Sequence, residues 1–180
     1  MIFKFGAHWS VLPRQMVQRV VLVTGASRGI GAAVVAQLVQ QRTWVPSVPY
    51  RPLNSAPTSC LEDVHVIAVS RTPLPSTNNV TAVQGDVTDD AVRKRAVQTA
   101  VASFGRIDAV INNAGVLDPL ERLATAPADA IKQAFDVNVV AAIALVQEAL
   151  PHLIKTNGVV VNVSSGAAVK AYEGWGAYCW

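Results

Sequence analysis

The regular part of the chain begins near Val20, where "RVVLVTG" is a short β-branched apolar run that ends in glycine. A run without polar alternation predicts a strand buried on both faces. Helix formers follow in "IGAAVVAQLVQQ". The same pattern predicts strands over Val66–Ser70, Val80–Gln84 and Ala109–Asn112, and a fifth within "GVVVNVSS" from Gly158. Helical stretches are predicted over Thr88–Phe104 and Pro127–Lys155, the second broken near Asp136. Strands alternating with helices, and strands apolar throughout, predict a parallel sheet covered on both faces. The expected fold class is therefore α/β, a doubly wound three-layer sheet of the Rossmann type.

Two segments do not follow this pattern. Residues 43–63, "TWVPSVPYRPLNSAPTSCLED", carry Pro46, Pro49, Pro52 and Pro57, four of the ten prolines in the chain. Such a stretch can neither continue a helix nor enter a sheet interior, so it reads as a long inserted surface loop, or as unspliced sequence. Residues 1–19 carry Lys4, Arg14 and Arg19 and no acid. They read as a disordered extension: either a transit-like leader or sequence upstream of a true start at Met16. One domain, 20–180, remains.

Composition narrows the function classes. Of 180 residues, 51% are apolar and 15% charged, which excludes a disordered chain. The net charge of +3 is only mildly basic. The Lys/Arg cluster at Arg93, Lys94 and Arg95 reads as a solvated helix face, so no nucleic-acid partner is expected. Val139–Val146 is the best uncharged apolar run and is too short to span a bilayer; a buried helix and no membrane partner are expected. Cys60 and Cys179 form no disulfide framework, and His8, His65 and His152 are scattered, so no metal site is expected. A cytoplasmic location is the default, with an organellar leader as the alternative.

Candidate chemistry starts at Thr24–Gly31, "TGASRGIG", with glycines at 25, 29 and 31 between a strand and a helix. In that context backbone N–H groups and the helix N-terminus can meet a pyrophosphate. Asp86 follows the third strand, "NNAG" occupies Asn112–Gly115, Asn138 lies within a helix, and Ser165 precedes Tyr178 by thirteen residues. Taken together, these motifs resemble the short-chain dehydrogenase/reductase family from about Val20 to the end of the chain.

That resemblance implies roles residue by residue. Gly25, Ser27, Arg28, Gly29, Ile30 and Gly31 match the loop that holds the dinucleotide phosphates. Asp86 and Val87 match the pair that meets the adenine, and Asn112, Ala114 and Gly115 the segment that lines the cofactor and steadies the sheet. Asn138, Ser165 and Tyr178 match three of four catalytic residues. The fourth, a lysine four positions after the tyrosine, falls at position 182, past Trp180. The chain is thus expected to be a C-terminally truncated fragment, inactive or impaired by itself. A free tyrosine has a pKa of about 10, and in the family the lysine helps it to titrate near neutrality. Ser165 is expected to polarise the substrate carbonyl and Asn138 to hold a water on the proton path.

Cofactor choice rests on "VIAVSRTP", where Arg71 stands at the end of the second strand and no acid does. Arg71, with Arg28, favours NADP and its 2′-phosphate over NAD. "NAGVLDP", "LPHLIKTNG" and "GWGAY" look most like a fungal branch that includes benzil reductase, with sepiapterin reductase more distant. The resemblance implies an NADP-dependent oxidoreductase for a small ketone or diketone; a silent dinucleotide-binding module is the alternative. Trp175 either lines an aromatic substrate pocket or packs its loop. The stretch "AFDVNVVAAIALVQEALPHLI" is apolar on more than one face, and a homodimer or homotetramer is expected.

Overall fold

A computed structural model describes residues 18–41 and 63–179. The inserted loop, apart from Asp63, and the extension up to residue 17 lie outside the described residues, as do His8, Cys60 and Trp180. Five strands form one parallel sheet: β1 (Arg19–Thr24), β2 (Val64–Ser70), β3 (Val80–Gln84), β4 (Ala109–Asn112) and β5 (Val159–Asn162). Their spatial order is β3-β2-β1-β4-β5, so the chain winds outward from β1 in both directions. The fold is the expected Rossmann-type doubly wound α/β/α sheet. Two boundaries shift: Arg19 belongs to β1 rather than to an extension, and Val64 and His65 extend β2. The Arg19 N–H donates to the Asp63 carbonyl at 2.7 Å, so the far end of the insert rejoins the sheet beside its start.

Strand periodicity builds the layers, since successive side chains point to opposite faces. Val20, Leu22, Ile67, Val69 and Val110 form one core with α2 (Asp90–Phe104) and the long helix that ends at Thr156. Val21, Val23, Val66, Ala68 and Ile111 form the other, against Val34, Val35 and Leu38 of α1 (Gly29–Gln41). At the lower end of the sheet the buried Asp108 carboxylate accepts from the Val20 N–H and from Arg106, both at 2.8 Å.

The break expected near Asp136 is real, and it is a π-helical turn. Helix α3 (Ala128–Phe135) passes through this turn, Asp136–Val140, into α4 (Ala141–Thr156) without leaving the helix axis region. Wide turns of this kind concentrate at functional sites, and this one contains Asn138. The combined helix, Ala128–Thr156, is long and apolar enough by length and composition to cross a membrane, although its longest uncharged apolar run is short. In the fold it lays Ala141, Leu145, Ala149 and Leu153 on the sheet. It is therefore buried along one face only: Val140, Ile143, Leu150 and Ile154 are exposed.

Candidate active site

The strand order reverses between β1 and β4, and a parallel sheet opens a crevice at such a point, above the carboxyl ends of its strands. Here the crevice is a cleft of about 430 Å³. It is lined by Gly25, Ser27, Arg28, Gly29 and Ile30 on the first loop, by Arg71 and Thr72 after β2, and by Asp86 and Val87 after β3. Ala114, Gly115 and Val116 after β4, with Val137 on the π turn, complete it. Ten of the twelve residues expected to bind cofactor thus meet in one space.

The other two lie behind it. A side chain at Gly31 would put its Cβ 2.2 Å from the Gly25 carbonyl oxygen, so this glycine lets helix α1 start hard against the loop. Gly25 has φ +66°, and a Cβ there would stand 2.9 Å from the Ala114 backbone; both backbone shape and close approach demand glycine. Asn112 is buried at the end of β4 and donates through Nδ2 to Asn162 of β5 at 2.9 Å. It steadies the sheet rather than lining the cleft.

Two residues missed by motif reading hold the crevice together. Asn113 donates through Nδ2 to the carbonyls of Thr24 (3.0 Å) and Gly25 (3.1 Å). The Thr24 hydroxyl accepts from the N–H groups of Asn113 (3.1 Å) and Ala114 (3.0 Å). Both stand inside the quoted motifs, so the signal was present; which strand end each one ties was not.

The charged residues that line the cleft are Arg28, Arg71 and Asp86, so it carries a net positive charge suited to an anion. Asp86 accepts from the Thr88 N–H (2.9 Å) and hydroxyl (2.8 Å). Those bonds hold its carboxyl below the usual carboxylate range, the backbone N–H contributing most and Arg71 adding to it. The Arg71 guanidinium approaches Asp86 to 4.0 Å and stays largely exposed.

None of the residues expected to be catalytic lines this cleft, although Asn138 borders it. Asn138 accepts from the Val116 N–H (2.8 Å) and donates to the Val116 carbonyl (2.9 Å), so its side chain pins the loop that follows β4. One amide N–H of that side chain remains for other partners. Ser165 caps a short 3₁₀ turn (Gly166–Ala168) by accepting from the Ala167 N–H at 3.2 Å, which leaves its own hydroxyl proton to donate. Tyr178 is half-buried, its ring edge-on to Trp175 with centroids 6.0 Å apart. Trp175 also meets Tyr172 at 5.2 Å. Neither Ser165 nor Tyr178 lines the cleft.

The family model for short chain dehydrogenases matches residues 19–179. The chain belongs to that family. An uncharacterized oxidoreductase of Schizosaccharomyces pombe is 37% identical over 170 residues, covering 90% of this chain and 59% of the relative. A benzil reductase of Saccharomyces cerevisiae, described as (S)-benzoin forming, is 31% identical over 173 residues, covering 89% and 59%. Among solved structures, a short chain dehydrogenase/reductase of S. cerevisiae superposes with a TM-score of 0.75 at 35% identity, covering 89% of this chain and 59% of that one. A cytoplasmic protein of unknown function from S. cerevisiae gives 0.70 at 36%, covering 89% and 60%. The chain thus spans about 59% of the length of the curated relative first compared.

Proposed function

We propose that this chain is the cofactor-binding and proton-donating part of an NADP-dependent oxidoreductase that reduces the carbonyl of a small ketone or diketone. The observation that carries the reading is the cleft itself: phosphate loop, adenine turn and cationic Arg71 and Arg28 converge on one crevice. The site fits a dinucleotide. The space beside Gly29 that a side chain would enter is open, and the N-terminus of α1 faces the same loop. When bound, the nicotinamide supplies the hydride. Gly25, Ser27, Gly29, Ile30 and Gly31 would shape the phosphate seat, Asp86 and Val87 the adenine end, and Ala114 and Gly115 the floor.

The chain's own residues supply the rest. The free hydroxyl proton of Ser165 polarises the carbonyl oxygen. Tyr178 delivers the proton that converts the nascent alkoxide to an alcohol. Asn138 fixes the Val116 loop, and its remaining amide N–H or backbone serves the water on the proton path. In the family a lysine four positions after the tyrosine would complete this set. The benzil reductase among the relatives supports a diketone substrate. The exposed apolar face of α4 supports a homodimer or homotetramer, and the cytoplasmic relative supports a cytoplasmic site of action.

The test is titration with NADPH and NADH, followed by diketone reduction, of this chain and of a version extended with a family-like C-terminal part. Tighter NADPH binding, loosened at least about tenfold by Arg71→Asp, is expected. So is activity in the extended form that Tyr178→Phe abolishes. Tighter NADH binding sinks the cofactor assignment. NADPH binding without turnover in the extended form favours the silent binding module.

A further inference from the structure

The basic triplet at the start of α2 is not a uniformly solvated face. Lys94 is, its ammonium paired with Asp90 at 2.7 Å. Arg93 turns back along the helix and donates through Nη1 to the Val87 carbonyl at 2.7 Å, with only 11% of its side chain exposed. Arg95 donates through Nη2 to the Gln84 carbonyl at 2.6 Å. The two guanidinium groups therefore grip both ends of the turn 84–87, which carries Asp86.

Gln84 extends the brace. Its Nε2 donates to the Arg71 carbonyl at 3.3 Å. On the other side of that turn the buried Ser70 hydroxyl donates to the Thr72 carbonyl, and the Gly85 N–H donates to the Ser70 carbonyl at 2.9 Å. The Arg71 side chain itself is 65% exposed and has only the 4.0 Å approach to Asp86. What confines its guanidinium is thus chiefly its backbone. A cation on a fixed backbone loses less freedom when it meets an anion than one on a loose loop.

We propose that Arg95 and Gln84 are positioning residues for cofactor choice: Arg95 holds Gln84, and Gln84 holds the Arg71 backbone where its guanidinium can meet a 2′-phosphate. Arg93, through Val87, positions the adenine end, which NADP and NAD share. The proposal rests on the NADP reading above and assigns the residues that make it work.

The experiment titrates the full chain with NADPH and with NADH by calorimetry. Gln84→Ala, Arg95→Ala, Arg93→Ala and Arg93→Lys are compared in the parent, and the first two also in an Arg71→Ala background. Gln84 and Arg95 are exposed, so their variants keep the fold. Gln84→Ala and Arg95→Ala are expected to weaken NADPH about three- to tenfold while NADH moves less than about twofold. In the Arg71→Ala background neither should cause further loss. Arg93→Ala should weaken both cofactors by a similar factor, with part recovered by Arg93→Lys. Equal loss of both cofactors in Gln84→Ala, no loss at all, or full additivity with Arg71→Ala overturns the relay and leaves the NADP reading standing. An Arg93→Ala loss confined to NADPH overturns the adenine assignment. Equal binding of the two cofactors by the parent overturns the NADP reading itself, and the relay with it.

Discussion

Strands β1 and β5 are both valine-rich and both parallel, yet they sit in opposite circumstances. β1 lies at the centre of the sheet between β2 and β4, with Val20 to Val23 wholly inaccessible. β5 pairs with β4 alone among the described strands, and its Val160 and Val161 are 40% and 42% exposed. The loop after β1 is tied across 88 to 90 residues of sequence by Asn113 and Thr24. Hydrogen bonds after β5 are mostly local: Ser165 to Ala167, and the N–H groups of Tyr178 and Cys179 to the Trp175 carbonyl. Longer-range contact there comes from the Val163 N–H donating to the Asn112 carbonyl at 2.9 Å, from the exposed Arg122–Glu173 ion pair and from Leu123 packing on Gly176. The comparison separates two tasks. Long-range contacts at the middle of the sheet build the cleft, and the proposed proton donors stand on a mostly locally bonded segment that follows β5.

The largest expected effect tests that separation directly. Leu22→Ala removes a fully buried side chain and is expected to cost about 2–5 kcal/mol, whereas Val161→Ala should stay within about 0.5 kcal/mol. Urea unfolding of both variants measures this, and similar costs would erase the distinction between centre and rim.

Next in size is the tie across the crevice. Asn113→Ala deletes two donor bonds to part-buried carbonyls and is expected to cost about 1–3 kcal/mol, with weaker binding of either cofactor. Ser165→Ala at the rim should leave cofactor affinity unchanged. Melting curves and cofactor titration on the two variants decide it; cofactor loss in Ser165→Ala alone would reverse the assignment of tasks.

A pH effect belongs to the central region as well. His65 is buried on β2, its Nε2 shares a hydrogen bond of 2.8 Å with the Thr81 hydroxyl, and its ring lies 4.2 Å from that of Phe104. Burial pushes its pKa below the ordinary imidazole value, opposed in part by the Asn78 backbone. The unfolded chain then binds the proton more readily than the folded one. Stability from this group is full above the unfolded value of about 6.5 and falls as pH drops from there toward the lower folded value. The melting temperature should therefore decline more steeply below that point in the parent than in His65→Gln. Parallel profiles would show that His65 is not the group responsible.

The smallest change in stability is expected from Val161→Lys, again within about 0.5 kcal/mol, because the residue is already part exposed. Its visible effect should be on association. A charge on a part-exposed apolar strand opposes strand addition, so light scattering of this concentrated chain should fall. Unchanged scattering would move the adhesive surface from β5 to the exposed face of α4.

Much of this was legible in the chain. All five strands were found from short, mainly apolar runs, with β3 and β4 located to the residue, although only β4 is buried along its whole length and β3 is buried at Val83 alone. Helix α2 begins two residues later than the pattern predicts, because Asp89 caps it by accepting from the Ala91 N–H. The glycines of the first loop were found from their spacing; close approach requires glycine at Gly25 and Gly31, and a φ of +54° favours it at Gly29.

What remained hidden was every partnership between distant residues. Asn113 and Asn112 are adjacent asparagines, yet one ties β4 to β1 and the other ties it to β5. Arg93 and Lys94 are adjacent cations, yet one is spent on Val87 and the other faces solvent. Local sequence determines the period of burial, because that depends only on the repeat of a strand or helix. Which polar group meets which depends on how the sheet winds, and the winding brings together residues that no local pattern relates. By itself the sequence determined the elements, the glycine-rich loop and the family. The tertiary structure alone decided that α2 braces the turn 84–87, that the Asn138 side chain is committed to Val116, and that β5 pairs with β4 alone among the described strands.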